Sequence, residues 1–256
     1  MHEPVELFAV TRGSALASER SIGRRGLAAI GLGAVAVMAL AVVALALPGL
    51  TAAPPTSIPS PTPRTLEVGP LELGTYVADE FHPPFSFTID DPGWSIYRVY
   101  PDALGLQYGA APDGRLDVGH IPLLYSNPCG PGEQDIATGT SVDDLVAALE
   151  SATYLQLGEV KAAEIGGNYA VSVDVTVDPA AQAACGGFGG EGIAVFPVAE
   201  DVWRAMPGEV FRLQAVDVDA TTISYIMSAE PAPAQSVEAL EQFFERAQRI
   251  VQSIEF

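Results

Sequence analysis

The feature that most constrains this chain is an uncharged apolar run of 22 residues, Gly26 to Leu47. As an α-helix with a rise of ~1.5 Å per residue, the run would be about 33 Å long, enough to cross a bilayer core of about 30 Å. The sequence therefore predicts one transmembrane helix over residues 26–47. Through this segment the chain would contact the lipid bilayer.

Charges on the two sides of this run predict its orientation. Arg20, Arg24 and Arg25 come directly before it, and the next basic residue is Arg64. Because positive charges stay on the cytoplasmic side, the positive-inside rule places residues 1–25 in the cytoplasm and the rest of the chain outside it. The predicted localisation is the cell membrane, with a single pass and an extracytoplasmic C-terminal domain.

A cleaved signal peptide is the alternative interpretation of the same segment. Small residues at Ala44-Leu45-Ala46 and Thr51-Ala52-Ala53 offer cleavage sites. However, the apolar run is longer than the usual ~7–15 residues of a signal peptide, and the region before it is also long. The sequence therefore favours an anchor that is retained.

Proline marks the segment that follows the predicted helix. Six of the 16 residues at 48–63 are proline, a composition that favours extended polyproline conformation. Residues 48–70 are therefore predicted to be an extracytoplasmic linker. Residues 71–256 are predicted to form one α+β ectodomain.

The charge of the chain excludes some partners. The net charge is -20, and the residues after 25 include 8 basic and 29 acidic side chains. Such a domain repels nucleic acid and anionic lipid headgroups, so no nucleic-acid partner is expected. The acidity is typical of a solvated surface, and it also favours cations or basic proteins as partners.

Hydrophobic periodicity predicts the elements of the ectodomain. Thr140 or Ser141 is predicted to cap a first amphipathic helix that ends near Ser151. Ser236 is predicted to cap a second helix, which carries an apolar stripe from Val237 to Ile254. Trp94 is predicted to lie in the core, and Trp203 in a loop. Alternation predicts strands at 85–89, 94–100, 104–108, 116–124, 155–165, 169–178, 193–198, 210–218 and 221–228.

The layout resembles the PsbP-like α/β/α fold over roughly residues 75–256. The resemblance is carried by Phe85, Phe87 and Ile89, by Pro92-Gly93-Trp94, and by a closing helix that runs into 253–256. It implies an α+β domain in which a central antiparallel sheet lies between two main amphipathic helices. It also implies a binding or accessory module without enzyme activity, and it transfers no functional residues.

The two cysteines are candidates for a disulfide. Cys129 and Cys185 both lie in glycine-containing segments, and the predicted compartment is oxidising. A disulfide bond between them would close a long loop of the chain and, in the chain-entropy model, would contribute about 4 kcal/mol of stability. Two free thiols in separate loops are the alternative.

No motif indicates catalysis, a cofactor or a metal. Gly187 to Gly192 matches G-x-G-x-x-G, but a strand rather than a helix follows, so a connection between strands is predicted. Asp117 and His120 fall on opposite faces of one predicted strand. The paired acids are predicted to lie in turns and on strand faces rather than to bind calcium.

The sequence therefore predicts a non-enzymatic binding or accessory domain for an unknown envelope protein or a small apolar ligand. Unlike Trp94, which is predicted to lie in the core, Tyr97 or Tyr100 could line a groove for such a ligand. An envelope hydrolase is the first alternative, favoured if His82 or His120 met a serine and an aspartate in a cleft. A membrane-linked sensor that signals through its short basic tail is the second.

Overall fold

The computed structural model describes residues 63–109, 114–130, 135–181, 192–199, 201–206, 209–229 and 237–256. These residues all fall within one compact unit, Ser57–Phe256. Residues 1–25 and the predicted transmembrane segment 26–47 lie outside the described residues. No helix among the residues described combines the length and the apolar character that a membrane span needs.

Two helices and sixteen strands are described. The helices are α1 (Val142–Ser151) and α2 (Val237–Gln252). The strands in chain order are β1 (Arg64–Thr65), β2 (Gly69–Pro70), β3 (Gly74–Ala78), β4 (Phe85–Ile89), β5 (Trp94–Tyr100), β6 (Ala103–Tyr108), β7 (Gly114–Gly119), β8 (Leu123–Leu124), β9 (Ile136–Ala137), β10 (Leu155–Leu157), β11 (Lys161–Ile165), β12 (Asn168–Val177), β13 (Ile193–Val198), β14 (Asp201–Ala205), β15 (Val210–Val218) and β16 (Thr221–Ser228).

Nine strands form one large sheet in which every pair is antiparallel. Its order is β10-β12-β15-β16-β7-β6-β5-β2, and β11 also pairs with β12. A three-stranded sheet, β1-β3-β4, and the hairpins β13-β14 and β8-β9 complete the strand pairing. The central antiparallel sheet predicted from the sequence is therefore present.

The two helices cover opposite faces of the large sheet. Tyr225 belongs to the core that contains Phe243 and Ile250 of α2. The next residue, Ile226, belongs to the core that contains Leu145 of α1 and Trp203 of β14. Since consecutive side chains of a strand point to opposite faces, α2 lies on one face, and α1 and the β13-β14 hairpin lie on the other.

The first helix begins where its capping residue predicts. The Ser141 side chain accepts a hydrogen bond from the Asp144 backbone N–H, and the Ser141 backbone is extended, as N-cap residues are. The Ser141 hydroxyl donates to the Asp144 carboxylate at 2.7 Å and lowers its pKa. The predicted helix, with its end at Ser151, is confirmed.

The second helix buries most of its predicted stripe. Phe243, Phe244, Ala247, Ile250 and Val251 are all buried. The prediction that Val237 belongs to the buried stripe is wrong, because this residue, in the first turn of the helix, is 74% exposed. The predicted cap, Ser236, lies outside the described residues.

Several strand boundaries differ from the prediction. The stretch 116–124 divides into β7 and β8, because Gly119 ends the pairing with β6 and Ile121 and Pro122 follow outside any strand. The stretch 155–165 divides into β10 and β11, which pair with different parts of β12. In addition, β1 and β2 occupy residues assigned to the linker 48–70.

The chain after α2 returns to the start of the domain. Glu255 and Ser86 of β4 exchange two backbone hydrogen bonds, at 2.8 and 3.1 Å. The Ser253 hydroxyl oxygen accepts a further bond from the Thr88 backbone N–H at 2.8 Å. Residues 253–255 therefore cover the free edge of β4 by hydrogen bonding to it.

Candidate functional site

A buried carboxylate organises the polar groups on the α1 face of the sheet. Asp117 of β7 is 1% exposed. Its Oδ1 accepts a hydrogen bond from the Tyr97 hydroxyl and another from Arg98 Nη2 at 2.6 Å. Its Oδ2 accepts one from Trp203 Nε1 at 3.1 Å. Both carboxylate oxygens therefore have donors, as burial of a charged acid requires.

A β-bulge in β5 explains how two consecutive residues reach one acid. Ile96 pairs with Leu106 and Arg98 with Gly105, so Tyr97 is the extra residue. In a bulge the normal alternation of side chains is interrupted. Gly105 makes room for the displaced ring, because a Cβ there would lie 2.5 Å from Tyr97 Cζ.

This environment keeps Tyr97 protonated. Burial raises the pKa of Tyr97, and the neighbouring Asp117 carboxylate raises it further. The phenol therefore acts as a hydrogen-bond donor to the acid. Arg98 neutralises the same acid and lies with its Cζ 5.3 Å from the Tyr97 ring centroid. Because both of its oxygens accept these hydrogen bonds, Asp117 has a structural role and is not placed to act as a catalytic acid or base.

A separate pocket of about 210 Å³ lies at the ends of β3, β5 and β6. We call it the Tyr100 pocket. Its lining residues are Thr65, Leu66, Ala78, Asp79, Glu80, Phe81, Val99, Tyr100 and Leu104. For comparison, a dry cavity of about 150 Å³ holds one benzene molecule, whereas pockets for drug-sized ligands measure about 300–1,000 Å³. The Tyr100 pocket thus has room for one apolar group.

The walls of the Tyr100 pocket combine apolar surface with negative charge. Phe81 and Leu104 are almost fully buried members of the core, and Tyr100 is 45% exposed. Asp79 and Glu80 lie exposed beside them. An apolar group that enters here therefore contacts buried aliphatic and aromatic carbon, while two carboxylates flank it.

His120 does not meet the condition that would favour a hydrolase. Its Nδ1 lies 2.8 Å from the Thr222 carbonyl oxygen, and its Nε2 lies 2.9 Å from that of His82. His120 and Ser224 line a common pocket of about 160 Å³, but Asp217 instead accepts bonds from the Val142 N–H and the Thr222 hydroxyl. In the described part of the chain, the serine, histidine and aspartate are not linked as a triad.

The structure separates the two tyrosines that the sequence singled out. Tyr100 lines the pocket described above, whereas Tyr97 is hydrogen-bonded to Asp117 on the α1 face. Whether either binds a ligand stays a prediction.

The structure describes only one of the two cysteines. The backbone N–H of Cys129 donates a hydrogen bond to the side-chain oxygen of Asn127, two residues before it. Its predicted partner, Cys185, lies outside the described residues, so the disulfide also stays a prediction.

Trp203 corrects one assignment and reveals what sequence reasoning missed. It lies in β14 rather than in a loop, is 4% exposed, and stacks on Phe196 with ring centroids 4.9 Å apart. In this strand the buried Trp203 and Ala205 alternate with the half-buried Val202 and Arg204, and Val202 is itself apolar, so the sequence pattern gave little signal. Trp94, by contrast, is 2% exposed as predicted.

The described residues bear on the metal and glycine-motif interpretations only in part. Within those ranges, no group of three or more His, Cys, Asp or Glu side chains is arranged to hold a metal ion. Of the Gly187 to Gly192 motif, only Gly192 is described, directly before β13.

Comparison with known proteins gives a weak structural likeness. The sequence matches no protein-family model and no curated protein. Among solved structures, the chain is similar to the solution structure of cyanobacterial PsbP from Synechocystis sp. PCC 6803, with 12% identity and a TM-score of 0.39. The match covers 76% of this chain and 98% of that one. No conclusion about family or function follows from a likeness this weak.

Proposed function

We propose that this chain is a single-pass membrane protein of a bacterial envelope whose α+β domain is a non-enzymatic binding module outside the cytoplasm. Residues 26–47 anchor it, residues 1–25 remain in the cytoplasm, and the proline-rich segment holds the domain away from the bilayer. The proposal of an anchor rests on the apolar run and on the arginines before it.

The Tyr100 pocket is the observation that carries the binding role. It offers buried apolar carbon for one side-chain-sized group, and the exposed acids Asp79 and Glu80 are among its lining residues. The best occupant is therefore an apolar group next to a positive charge, such as the aliphatic stem of a lysine in a basic envelope protein. The excess of acidic residues in the domain would favour the approach of such a partner.

The absence of a catalytic role is proposed from His120. Both of its ring nitrogens face backbone carbonyl oxygens, so neither is directed at a serine hydroxyl. A general base needs a nitrogen within hydrogen-bond reach of the proton that it removes.

The test uses two matched probes, n-hexylamine and n-hexanoate, which share an aliphatic chain and differ in charge. The full-length protein is titrated with each in a non-ionic detergent, and backbone amide shifts are followed by NMR. We expect hexylamine to produce saturable shifts centred on Phe81 and Tyr100. Hexanoate should bind at least about tenfold more weakly, equivalent to about 1.4 kcal/mol.

Three variants make the test specific. Tyr100→Ala removes a wall of the pocket, and Glu80→Gln removes one flanking charge, so both should weaken hexylamine binding. Tyr169→Ala is the matched control, because Tyr169 is a 60% exposed tyrosine that does not line this pocket. Equal weakening by Tyr169→Ala, or shifts that never saturate, would exclude the pocket as the binding site.

A further inference from the structure

Arg115 stands apart from the other basic residues of the domain. Among the eight basic side chains of the described ranges, six are paired with a carboxylate; these are Arg64, Arg98, Lys161, Arg212, Arg246 and Arg249. Arg204 reaches the Gly192 carbonyl oxygen at 3.4 Å. Arg115 has no carboxylate partner in the described part of the chain, although acidic residues greatly outnumber basic ones.

Arg115 lies in the middle of a row of polar side chains. Strand register places Gln107 of β6 directly opposite it on one side and Ser228 of β16 directly opposite it on the other. Directly opposite residues point to the same face of a sheet. The row Gln107–Arg115–Ser228 therefore presents an amide, a guanidinium and a hydroxyl together on the α1 face.

Two groups of this row are buried without a partner. Arg115 Nε and the Ser228 hydroxyl are both inaccessible to solvent, and neither has a hydrogen-bond partner among the described residues. Ser228 as a whole is 0% exposed. Arg98 Nε, beside the same face, is in the same condition. Buried donors without acceptors are destabilising, so an acceptor from outside the described chain would relieve them.

The charge around the row determines which anion fits. Arg115 precedes Asp117 by two residues on the same face, and Arg98 binds Asp117 directly. These three side chains together carry one net positive charge. A monoanion would neutralise it, whereas a dianion would leave an excess negative charge in an already acidic domain. Carboxylates also match the planar donors of a guanidinium.

We propose that the row Gln107–Arg115–Ser228 is a binding site for the carboxylate of a small molecule or peptide. Arg115 supplies the positive charge, and Ser228 and Gln107 supply neutral donors. Arg98, which is hydrogen-bonded to Asp117, adds to the positive potential. The site is independent of the Tyr100 pocket, which is lined by other residues.

The experiment follows arginine Nε–Hε signals of the full-length protein in a non-ionic detergent. Sodium acetate is the probe, and sodium chloride and sodium phosphate are compared at equal ionic strength. The Arg115 signal is identified by its loss in Arg115→Gln. We expect acetate to shift this signal saturably, chloride to leave it unchanged, and phosphate to bind more weakly than acetate.

The matched control is Arg204→Gln, which removes the same charge from an arginine that is also not paired with a carboxylate among the described residues. In the variants, acetate binding is followed through the Arg98 Nε–Hε signal, since Arg98 is hydrogen-bonded to Asp117 beside the row. We expect Arg115→Gln to weaken acetate binding at least tenfold and Arg204→Gln to leave it unchanged. Arg115→Lys, which keeps the charge, and Ser228→Ala provide milder variants that should each weaken binding less. They keep the test decisive if Arg115→Gln fails to fold.

Three results would overturn the proposal. Equal shifts with chloride and acetate would mean that only ionic strength acts on Arg115. Equal weakening by Arg115→Gln and Arg204→Gln would mean that acetate binding depends on the overall charge of the protein and not on Arg115. Tighter binding of phosphate than of acetate would contradict the assignment to a monoanion.

Discussion

Tyr97 and Arg98 are consecutive in β5, yet both donate hydrogen bonds to the same oxygen, Oδ1 of Asp117. In a regular strand these two side chains would point to opposite faces. The bulge at Tyr97 removes that restriction, and the acid between them becomes the centre of a buried network that also includes Trp203.

The first prediction concerns Asp117. Replacing it with alanine leaves Arg98, Tyr97 and Trp203 without their acceptor, and the loss of one partner of a buried ion pair costs about 3–5 kcal/mol. We expect the free energy of unfolding in urea to fall by about this amount. The control is Asp174→Asn in the partly exposed Asp174–Arg212 pair, which should cost much less, about 1 kcal/mol. Similar losses in both variants would contradict the assigned role.

The second prediction concerns the space above Gly105. Gly105→Ala places a methyl group 2.5 Å from Tyr97 Cζ, so we expect destabilisation of about 1–3 kcal/mol. In a Tyr97→Ala background the ring is gone, and the same substitution should cost much less. A double-mutant cycle measures this coupling directly. Additive effects of the two substitutions would show that the ring and Gly105 do not meet.

The third prediction concerns alkaline pH. Burial raises the pKa of Tyr97, Tyr154 and Tyr225 above the ordinary value of 10.0. Groups with a raised folded-state pKa contribute stability that is fully present below the unfolded pKa and is lost as the pH rises through the folded value. We therefore expect stability to decline above about pH 10.

The measurement is the ultraviolet absorbance of tyrosinate, recorded together with circular dichroism during an alkaline titration. Of the eight tyrosines of the chain, these three should ionise only when the fold is lost. Smooth ionisation of all eight with unchanged circular dichroism would mean that the three are not protected.

The fourth prediction concerns the cysteines. If Cys129 and Cys185 are joined, alkylation without prior reduction should add no mass, whereas alkylation after reduction and denaturation should modify both. Reduction should also lower the free energy of unfolding by about 4 kcal/mol, the entropy gained by the opened loop. Alkylation of either thiol in the unreduced, denatured protein would contradict the bond.

The fifth prediction concerns the anchor. Deletion of residues 26–47 should move the chain from the membrane fraction to the soluble fraction, because no other segment has a comparable uncharged run. The intact mass of the membrane-bound protein separates an anchor from a cleaved signal peptide. A mature chain that begins after Ala46 or Ala53 would favour cleavage.

The elements that repeat regularly could be predicted from the sequence. β12 alternates valine with polar residues, and α1 has a cap and an apolar stripe, so local pattern alone places them. The short strands β1, β2 and β9 carry two residues each, too few to show any period. Their pairing depends on neighbours brought by the tertiary fold.

The network around Asp117 could not be predicted in this way. Its members come from three strands, and Trp203 is separated from Asp117 by 86 positions. The bulge at Tyr97 also breaks the alternation from which a strand face is assigned. Similarly, the row around Arg115 depends on strand register between β6, β7 and β16, which local sequence does not specify.

The hydrogen bonding of residues 253–255 to the edge of β4 has a consequence for biosynthesis. β4 is made about 165 residues before the groups that cover its edge, because Ser253 bonds to Thr88 across that separation. At about 5–20 residues per second, the growing chain carries this open strand edge for roughly 8–30 s. During that interval the edge can pair with other nascent chains. Shielding of this edge by a chaperone would therefore matter most before Ser253 emerges from the ribosome.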